Sequence, residues 1–232
     1  MNQIHAKEMP VLFIGHGNPM HAIEESETTR NWARSVENLS PRAILCVSAH
    51  WETDGTWLTG QKNPPTIHDF YGFPDELHSF SYPAAGDPDL AILIQKTLAD
   101  ADIGISHDWG LDHGSWSVLC RMFPAANIPV VQLSMDRKAP ALFHYQLGKK
   151  LAFLRQQNVL ILCSGNIVHN LGLARFGWEG AFDWARAFDS FVAEKILSGD
   201  ADSLIDYLPV GEMALMSVPT REHYLPLLYA LG

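Results

Sequence analysis

Short apolar runs that alternate with segments of helical periodicity are the feature that most constrains the fold of this chain. Runs of apolar, partly β-branched residues bounded by turn-forming residues predict strands at 11–14, 43–47, 129–133 and 159–163. These runs are apolar almost throughout rather than at every second residue. They are therefore typical of strands that are buried on both faces of a parallel sheet.

Segments with apolar residues at helical spacing lie between and after these runs. They predict helices over residues 28–37, 88–99, 113–122, 140–156, 184–198 and 222–231. Strands that alternate with helices indicate βαβ units, so we expect an α/β fold with a central mostly parallel or mixed sheet and helices on both faces. The length of 232 residues is typical of one domain, which we place at 1–232.

One long segment interrupts this alternation. Residues 63–88, NPPTIHDFYGFPDELHSFSYPAAGDP, are rich in proline, glycine and aromatic residues and have no helical or strand period. Long ordered loops of this kind in compact domains are often lids or binding loops. We therefore expect this loop to lie beside a ligand.

The overall charge and the absence of an apolar stretch of membrane-spanning length narrow the classes of partner that the protein could bind. The formal net charge is -10 at pH 7, which disfavours binding to nucleic acid or to anionic membranes. No apolar run reaches the roughly 18 residues that a membrane span needs, and the first residues lack the pattern of a secretory signal. We expect a cytoplasmic protein that acts on a small molecule and binds neither nucleic acid nor membranes.

Histidines follow several of the predicted strands. His16 follows the first run, His50 follows the second, and His169 lies a few residues beyond the last. The carboxyl ends of parallel strands meet at one edge of a sheet, where α/β folds bind their ligands. A single histidine beside a strand is more often a hydrogen-bonded core or turn residue, but converging imidazoles are what a divalent transition metal requires. The three histidines together predict a metal site.

Two further segments could complete this site. In WGLDHGSWSVL, His113 precedes a helical run for which Ser115 is the expected N-cap, and Asp112 could orient a histidine ring. In VPTREHYLPLL, Thr220 is the expected N-cap of the last helix. Glu222 and His223 would then lie about 100° apart around that helix, so we expect only one of them to face a metal.

Six motifs, in this order and spread over nearly the whole chain, give a resemblance to a known family. They are GHGNPM, VSAHW, PPTIHDFYGFP, GLDHGSW, SGNIVHNL and EHYLPLLYALG. This set resembles the class III extradiol ring-cleavage dioxygenases of the DOPA 4,5-dioxygenase type. The resemblance implies one catalytic α/β domain with a mononuclear metal site. It also implies cleavage of a catechol such as L-DOPA beside the diol, with both atoms of O2 incorporated.

The resemblance also implies roles for individual histidines. His16 and His50 match two metal ligands, and His223 matches a third or fourth, with Glu222 as the alternative because the wider superfamily uses two histidines and one glutamate. His169 matches a residue that acts as acid and base beside the metal and that can also approach it as a ligand. His113 matches a histidine that binds or orients the substrate.

The expected cofactor and substrate loop follow from the same match. Fe(II) is expected for catalysis, while a site of three or four histidines also suits Zn(II). His68, Phe70 and Tyr71 are expected to cover the substrate ring. Two other functions stay open at this point: a zinc-dependent hydrolase on the same histidines, which would need no O2, and a binding module without enzymatic activity. The oligomeric state is also open.

Overall fold

A mixed sheet forms the centre of the protein in a computed structural model that describes residues 8–175, 177, 178 and 180–232. Its strands are β1 (Val11–Gly15), β2 (Ala43–Thr53), β3 (Thr56–Thr59), β4 (Ile103–Ser106), β5 (Val130–Asp136) and β6 (Val159–Gly165). They lie in the order β1-β6-β2-β5-β3-β4. The first four strands in this order are parallel, whereas β3 pairs antiparallel with β5 and parallel with β4. The predicted α/β fold with a mostly parallel or mixed sheet is confirmed.

Ten α-helices of very different lengths surround the sheet in the described ranges. They are α1 (Glu27–Val36), α2 (Asp75–His78), α3 (Pro88–Thr97), α4 (His113–Met122), α5 (Ala141–Leu151), α6 (Phe153–Gln156), α7 (Asp183–Ser198), α8 (Ala201–Ile205), α9 (Glu212–Ser217) and α10 (Leu225–Leu231). The predicted helix over 140–156 is divided into α5 and α6. None of the helices that the structure describes is both long and apolar enough to cross a membrane.

The sheet is covered on both faces, which explains why its central strands are largely apolar. Along β2, Leu45 packs into the core that contains α5, α7 and α10, while Ile44 and Cys46 pack into the core that contains α1 and α4. All three side chains have no exposed surface. Alternate residues of one strand therefore face two different apolar cores, as expected for a buried parallel strand.

The two expected N-caps beside the candidate histidines were both wrong. Helix α4 begins at His113 after Asp112, whose carboxylate accepts a hydrogen bond from the Ser115 backbone N–H at 3.0 Å. Asp112 also accepts a hydrogen bond from the Ser48 hydroxyl at 2.7 Å, so it supports β2 and α4 from within the core. Helix α10 begins only at Leu225, because the preceding residues form a turn.

Two glycines shape the carboxyl edge of the sheet. Gly17 has a φ of +60°, a conformation that residues with a side chain rarely adopt. Gly165, the last residue of β6, lies against the backbone carbonyl of His223, which accepts a hydrogen bond from the Asn166 N–H at 2.7 Å. Gly15 pairs with Gly165 in the sheet, yet a methyl group there would meet only Asn166 Oδ1 at 3.6 Å.

Gly165 and Gly15 provide a matched test of the packing that places His223. We expect Gly165→Ala to lower the free energy of unfolding by about 1–3 kcal/mol, because the added carbon would overlap the His223 carbonyl oxygen and Pro226. Gly15→Ala should change it by no more than about 1 kcal/mol. Urea unfolding of the two variants measures both values. Equal stabilities would show that β6 and the turn before α10 do not pack as closely as described.

Candidate metal centre and active site

Three histidines from distant parts of the chain converge at the carboxyl edge of the sheet. His16 directly follows β1, His50 lies within β2, and His223 lies in the turn that leads to α10. One ring nitrogen of each lies within 4.8 Å of those of the other two. The Nε2 atoms of His16 and His50 are 3.3 Å apart. His16 and His223 are buried and His50 is half-buried, so the nitrogens meet away from bulk water.

Each of these rings is held at its other nitrogen, Nδ1. The Nδ1 contacts are to Ser164 Oγ at 3.0 Å for His16, to Asp69 Oδ2 at 3.2 Å for His50, and to Glu222 Oε1 at 3.0 Å for His223. A partner at Nδ1 fixes the ring and leaves Nε2 with a free lone pair, which is the usual environment of a metal-binding histidine. This donor set fits a divalent transition metal such as Fe(II) or Zn(II).

Ser164 fixes the tautomer of the neutral His16 ring. Its hydroxyl donates a hydrogen bond to the backbone carbonyl of Gly114 at the start of α4. Because that proton is already used, Ser164 Oγ accepts from Nδ1–H of His16. The Nε2 atom of His16 is then unprotonated and faces His50.

Asp69 links the loop of residues 63–88, called the aromatic loop below, to the histidines. One carboxylate oxygen lies 2.9 Å from both the backbone nitrogen and the Nδ1 of His113, and the other lies 3.2 Å from His50 Nδ1. Burial alone would raise the pKa of Asp69, but hydrogen bonds from His113 and then His50 hold it well below its usual range. Asp69 is therefore an anion that positions two rings at once. His50, Asp69 and His113 form a second group whose ligand atoms lie within 4.8 Å of one another.

Burial keeps two of the three converging imidazoles neutral. The pKa of His16 lies well below its usual value because the ring is buried and because His50 and His223 are close. Burial likewise lowers the pKa of His223, although Glu222 partly opposes this. For His50, burial is the largest single effect, but the hydrogen bond to Asp69 and the nearby charges of Asp112, Asp69 and Glu222 together outweigh it and raise the pKa. Neutral rings offer the lone pairs that a metal needs.

His169 lies beside this group rather than within it. Its ring stacks on that of His223 with centroids 3.4 Å apart, and its Nδ1 is 3.9 Å from Glu222 Oε1. Burial, with a further effect from His223, lowers the pKa of His169 to about 4, so the ring is neutral at pH 7. His169, Glu222 and His223 form a third group of possible ligands. Of the two alternatives at the end of the chain, His223 faces His16 and His50, and Glu222 lies behind it.

A cavity of about 1040 Å³ opens above the histidines. Its walls include residues 69–73 of the aromatic loop and much of the segment 168–185. Phe70, which is 7% exposed, and Tyr71, which is 93% exposed, both line it. His68 does not, because its Nε2 donates to the Phe80 carbonyl oxygen at 2.9 Å and its ring packs beside Trp116.

Comparison with known proteins decides the family. The family described as the catalytic LigB subunit of aromatic ring-opening dioxygenase matches residues 7–232. The chain belongs to the LigB family. A relative named 4,5-DOPA dioxygenase extradiol from Escherichia coli K12 is 45% identical over 97% of this chain and 84% of its own length. A relative of the same name from Beta vulgaris is 37% identical over 95% of this chain and 85% of its own.

A solved structure supports the same conclusion. The uncharacterized protein JW3007 from Escherichia coli K12 matches this LigB-family chain with a TM-score of 0.83 at 40% sequence identity, over 97% of this chain and 88% of the other. The predictions of the family, of the fold and of a ring-opening dioxygenase are confirmed. The family and the histidine cluster also support a metal cofactor, a small aromatic substrate and O2.

Sequence reasoning missed several residues of this LigB-family site. Asp69 and Ser164 were not singled out as partners of histidines, and Arg175 on the cavity wall was not considered. The signal for Asp69 was its position directly after His68 in the aromatic loop, and Ser164 stands at the end of a predicted strand. Both act on residues that are distant in sequence.

The contact between Ser164 and His16 provides a test of the metal centre. We expect Ser164→Ala to raise the dissociation constant for Zn(II) by about 10- to 100-fold, because the His16 ring loses the partner that fixes its tautomer. Competition with a chromophoric chelator at pH 7 measures this constant. Ser117→Ala is the matched control, since Ser117 is also buried and its hydroxyl has no hydrogen-bond partner among the described residues. Wild-type affinity in Ser164→Ala would contradict the assigned role.

Proposed function

We propose that this protein is an extradiol dioxygenase that opens the ring of a catechol such as L-DOPA at a single metal ion held by His16, His50 and His223. The observation that carries the proposal is the convergence of three ring nitrogens within 4.8 Å, each ring being held from behind. The names of the relatives support the substrate class.

The proposed metal is Fe(II). Three protein ligands leave coordination positions open, as in other non-haem iron oxygenases. When bound, Fe(II) supplies the redox-active centre for the oxidation of the catechol by O2. The same imidazoles suit Zn(II), which has no redox chemistry. Zinc in this site is therefore expected to allow substrate binding without turnover.

His169 is proposed to take the proton of a catechol hydroxyl and to return it when the ring opens. With a pKa of about 4 it is neutral at pH 7, the form that accepts a proton. The Glu222 carboxylate, 3.9 Å from His169 Nδ1, would stabilise the positive charge that the ring then carries. The fourth-ligand role that the resemblance also allows for His169 is the alternative outcome of the experiment below.

His113 and the aromatic loop are proposed to position the substrate. Asp69 holds His113 at Nδ1, which leaves its Nε2 for a substrate oxygen. Phe70 packs edge to face on His113 with centroids 5.4 Å apart and lines the cavity. Phe70 and Tyr71 would then cover the apolar face of the catechol and exclude water, while His68 holds the loop through Phe80.

Oxygen consumption tests the proposed reaction. Protein loaded with Fe(II) under anaerobic conditions should consume one O2 for each L-DOPA or related catechol that it opens, with the appearance of a coloured semialdehyde. Protein loaded with Zn(II) should consume none. An oxygen electrode combined with absorbance spectroscopy follows both. A zinc hydrolase would need no O2, and a binding module would bind catechols without consuming it. Absence of uptake by Fe(II)-loaded protein across a panel of catechols would refute the proposal.

Replacement of His169 separates the two roles considered for it. We expect His169→Ala to lower kcat by about 10²- to 10⁴-fold, the usual effect of losing a general acid or base. The protein should still bind one metal ion per chain, as measured by elemental analysis after gel filtration. His16→Ala is the control that should lose the metal. Loss of metal from His169→Ala would instead assign His169 as a ligand.

A further inference from the structure

An arginine lies on the wall of the cavity that also contains the histidines. Arg175 belongs to the segment between β6 and α7, and within the described residues it is the one lysine or arginine that lines this cavity. The protein as a whole carries a net charge of -10. A basic side chain at this place in a strongly acidic protein gives the cavity a local attraction for anions.

Two aromatic rings hold the Arg175 guanidinium. Its central carbon lies 5.3 Å from the centre of the Trp178 ring and 5.0 Å from that of Phe182. Both aromatic residues line the cavity as well. Cation–π contacts of this kind hold a guanidinium through its charge, while its N–H groups are the donors that a planar anion uses. A carboxylate is the anion that matches this edge through two parallel hydrogen bonds.

The size of the cavity leaves room for more than a catechol ring. Its volume of about 1040 Å³ lies at the upper end of the roughly 300–1,000 Å³ that is usual for small-molecule sites. Apolar side chains also line the cavity, among them Leu171 and Trp178, and Trp178 is 45% exposed. Such surroundings suit a short hydrocarbon chain between the ring and a charged end.

We propose that Arg175 binds the carboxylate at the end of the substrate's side chain, so that the enzyme prefers carboxylated catechols over neutral ones. This inference rests on the proposed function, since it assumes that the catechol ring lies at His16, His50 and His223. Arg175 is then a specificity-determining residue, and Trp178 and Phe182 orient its guanidinium. The substrate class is a catechol with an aliphatic acid or amino-acid side chain.

Steady-state kinetics with two kinds of substrate test the proposal. Arg175→Gln should lower kcat/KM for L-DOPA and for 3,4-dihydroxyphenylpropionate by about 10- to 100-fold, mainly through KM, because a charge-assisted hydrogen bond is lost. For the neutral 4-methylcatechol it should change little. Arg175→Lys should recover part of the activity on the acids. Arg34→Gln is the matched control, because Arg34 is an exposed residue of α1 and the change in charge is the same.

Ligand binding gives a second measurement that does not depend on turnover. With Zn(II)-loaded protein, calorimetry should show that Arg175→Gln raises the Kd of 3,4-dihydroxyphenylpropionate by a similar factor and leaves that of 4-methylcatechol unchanged. Equal losses on both ligands, or no loss on either, would overturn the role of Arg175. If Fe(II)-loaded wild-type protein opens no catechol, the proposed function fails, while the binding comparison still tests Arg175 independently.

Discussion

The close approach of three imidazole rings is the constraint on which the rest of this site depends. The Nε2 atoms of His16 and His50 lie 3.3 Å apart in a largely buried place, and His223 joins them. Lone pairs at this distance repel one another unless a proton or a metal ion lies between them. Burial lowers the pKa of His16 and of His223, whereas contacts with Asp69 raise that of His50. A proton on His50 Nε2 is therefore the competitor that a metal ion displaces from between the rings.

The sheet makes this approach possible because its parallel strands end at one edge. Gly15 of β1 lies in register with Gly165 of β6, and Ser164 lies in register with Ser48 of β2. His16 thus leaves the sheet beside Ser164, its hydrogen-bond partner. Ser48 in turn binds Asp112, the N-cap of α4, so the helix that carries His113 is fixed to the same edge. Metal ligands and substrate-facing residues are therefore held by one continuous hydrogen-bonded framework.

Sequence reasoning was successful where the signal is local. The strands β1, β2, β5 and β6 could be predicted because each contains a short, largely apolar run; β2, β5 and β6 are buried on both faces, whereas β1 at the edge of the sheet is half-buried. Strands β3 and β4 have only four residues each, and a short run of this kind gives no clear period. The helix boundary at 222 was wrong because Arg221 and its neighbours form a turn before Pro226, and that turn is what brings His223 to the metal site.

The histidines could also be predicted from local sequence, whereas the side chains that contact their Nδ1 atoms could not. His16 directly follows β1, and His50 follows the apolar run of β2, so both positions can be recognised in the sequence. Ser164 is 148 residues from His16, and Asp69 is 44 residues from His113, so only folding brings these pairs together. Arg175 was missed because its segment has neither strand nor helix period. Residues that hold the functional histidines in place are therefore the part of the site that is hardest to predict from a single sequence.

The central claim is that one metal ion binds between His16, His50 and His223. Diffraction from crystals of the metal-loaded protein, measured at the iron and zinc absorption edges, locates such an ion directly. For zinc, the account predicts one anomalous peak at about 2.0–2.1 Å from a nitrogen of each of these three rings. A peak within the group of His50, Asp69 and His113, or within that of His169, Glu222 and His223, would contradict it.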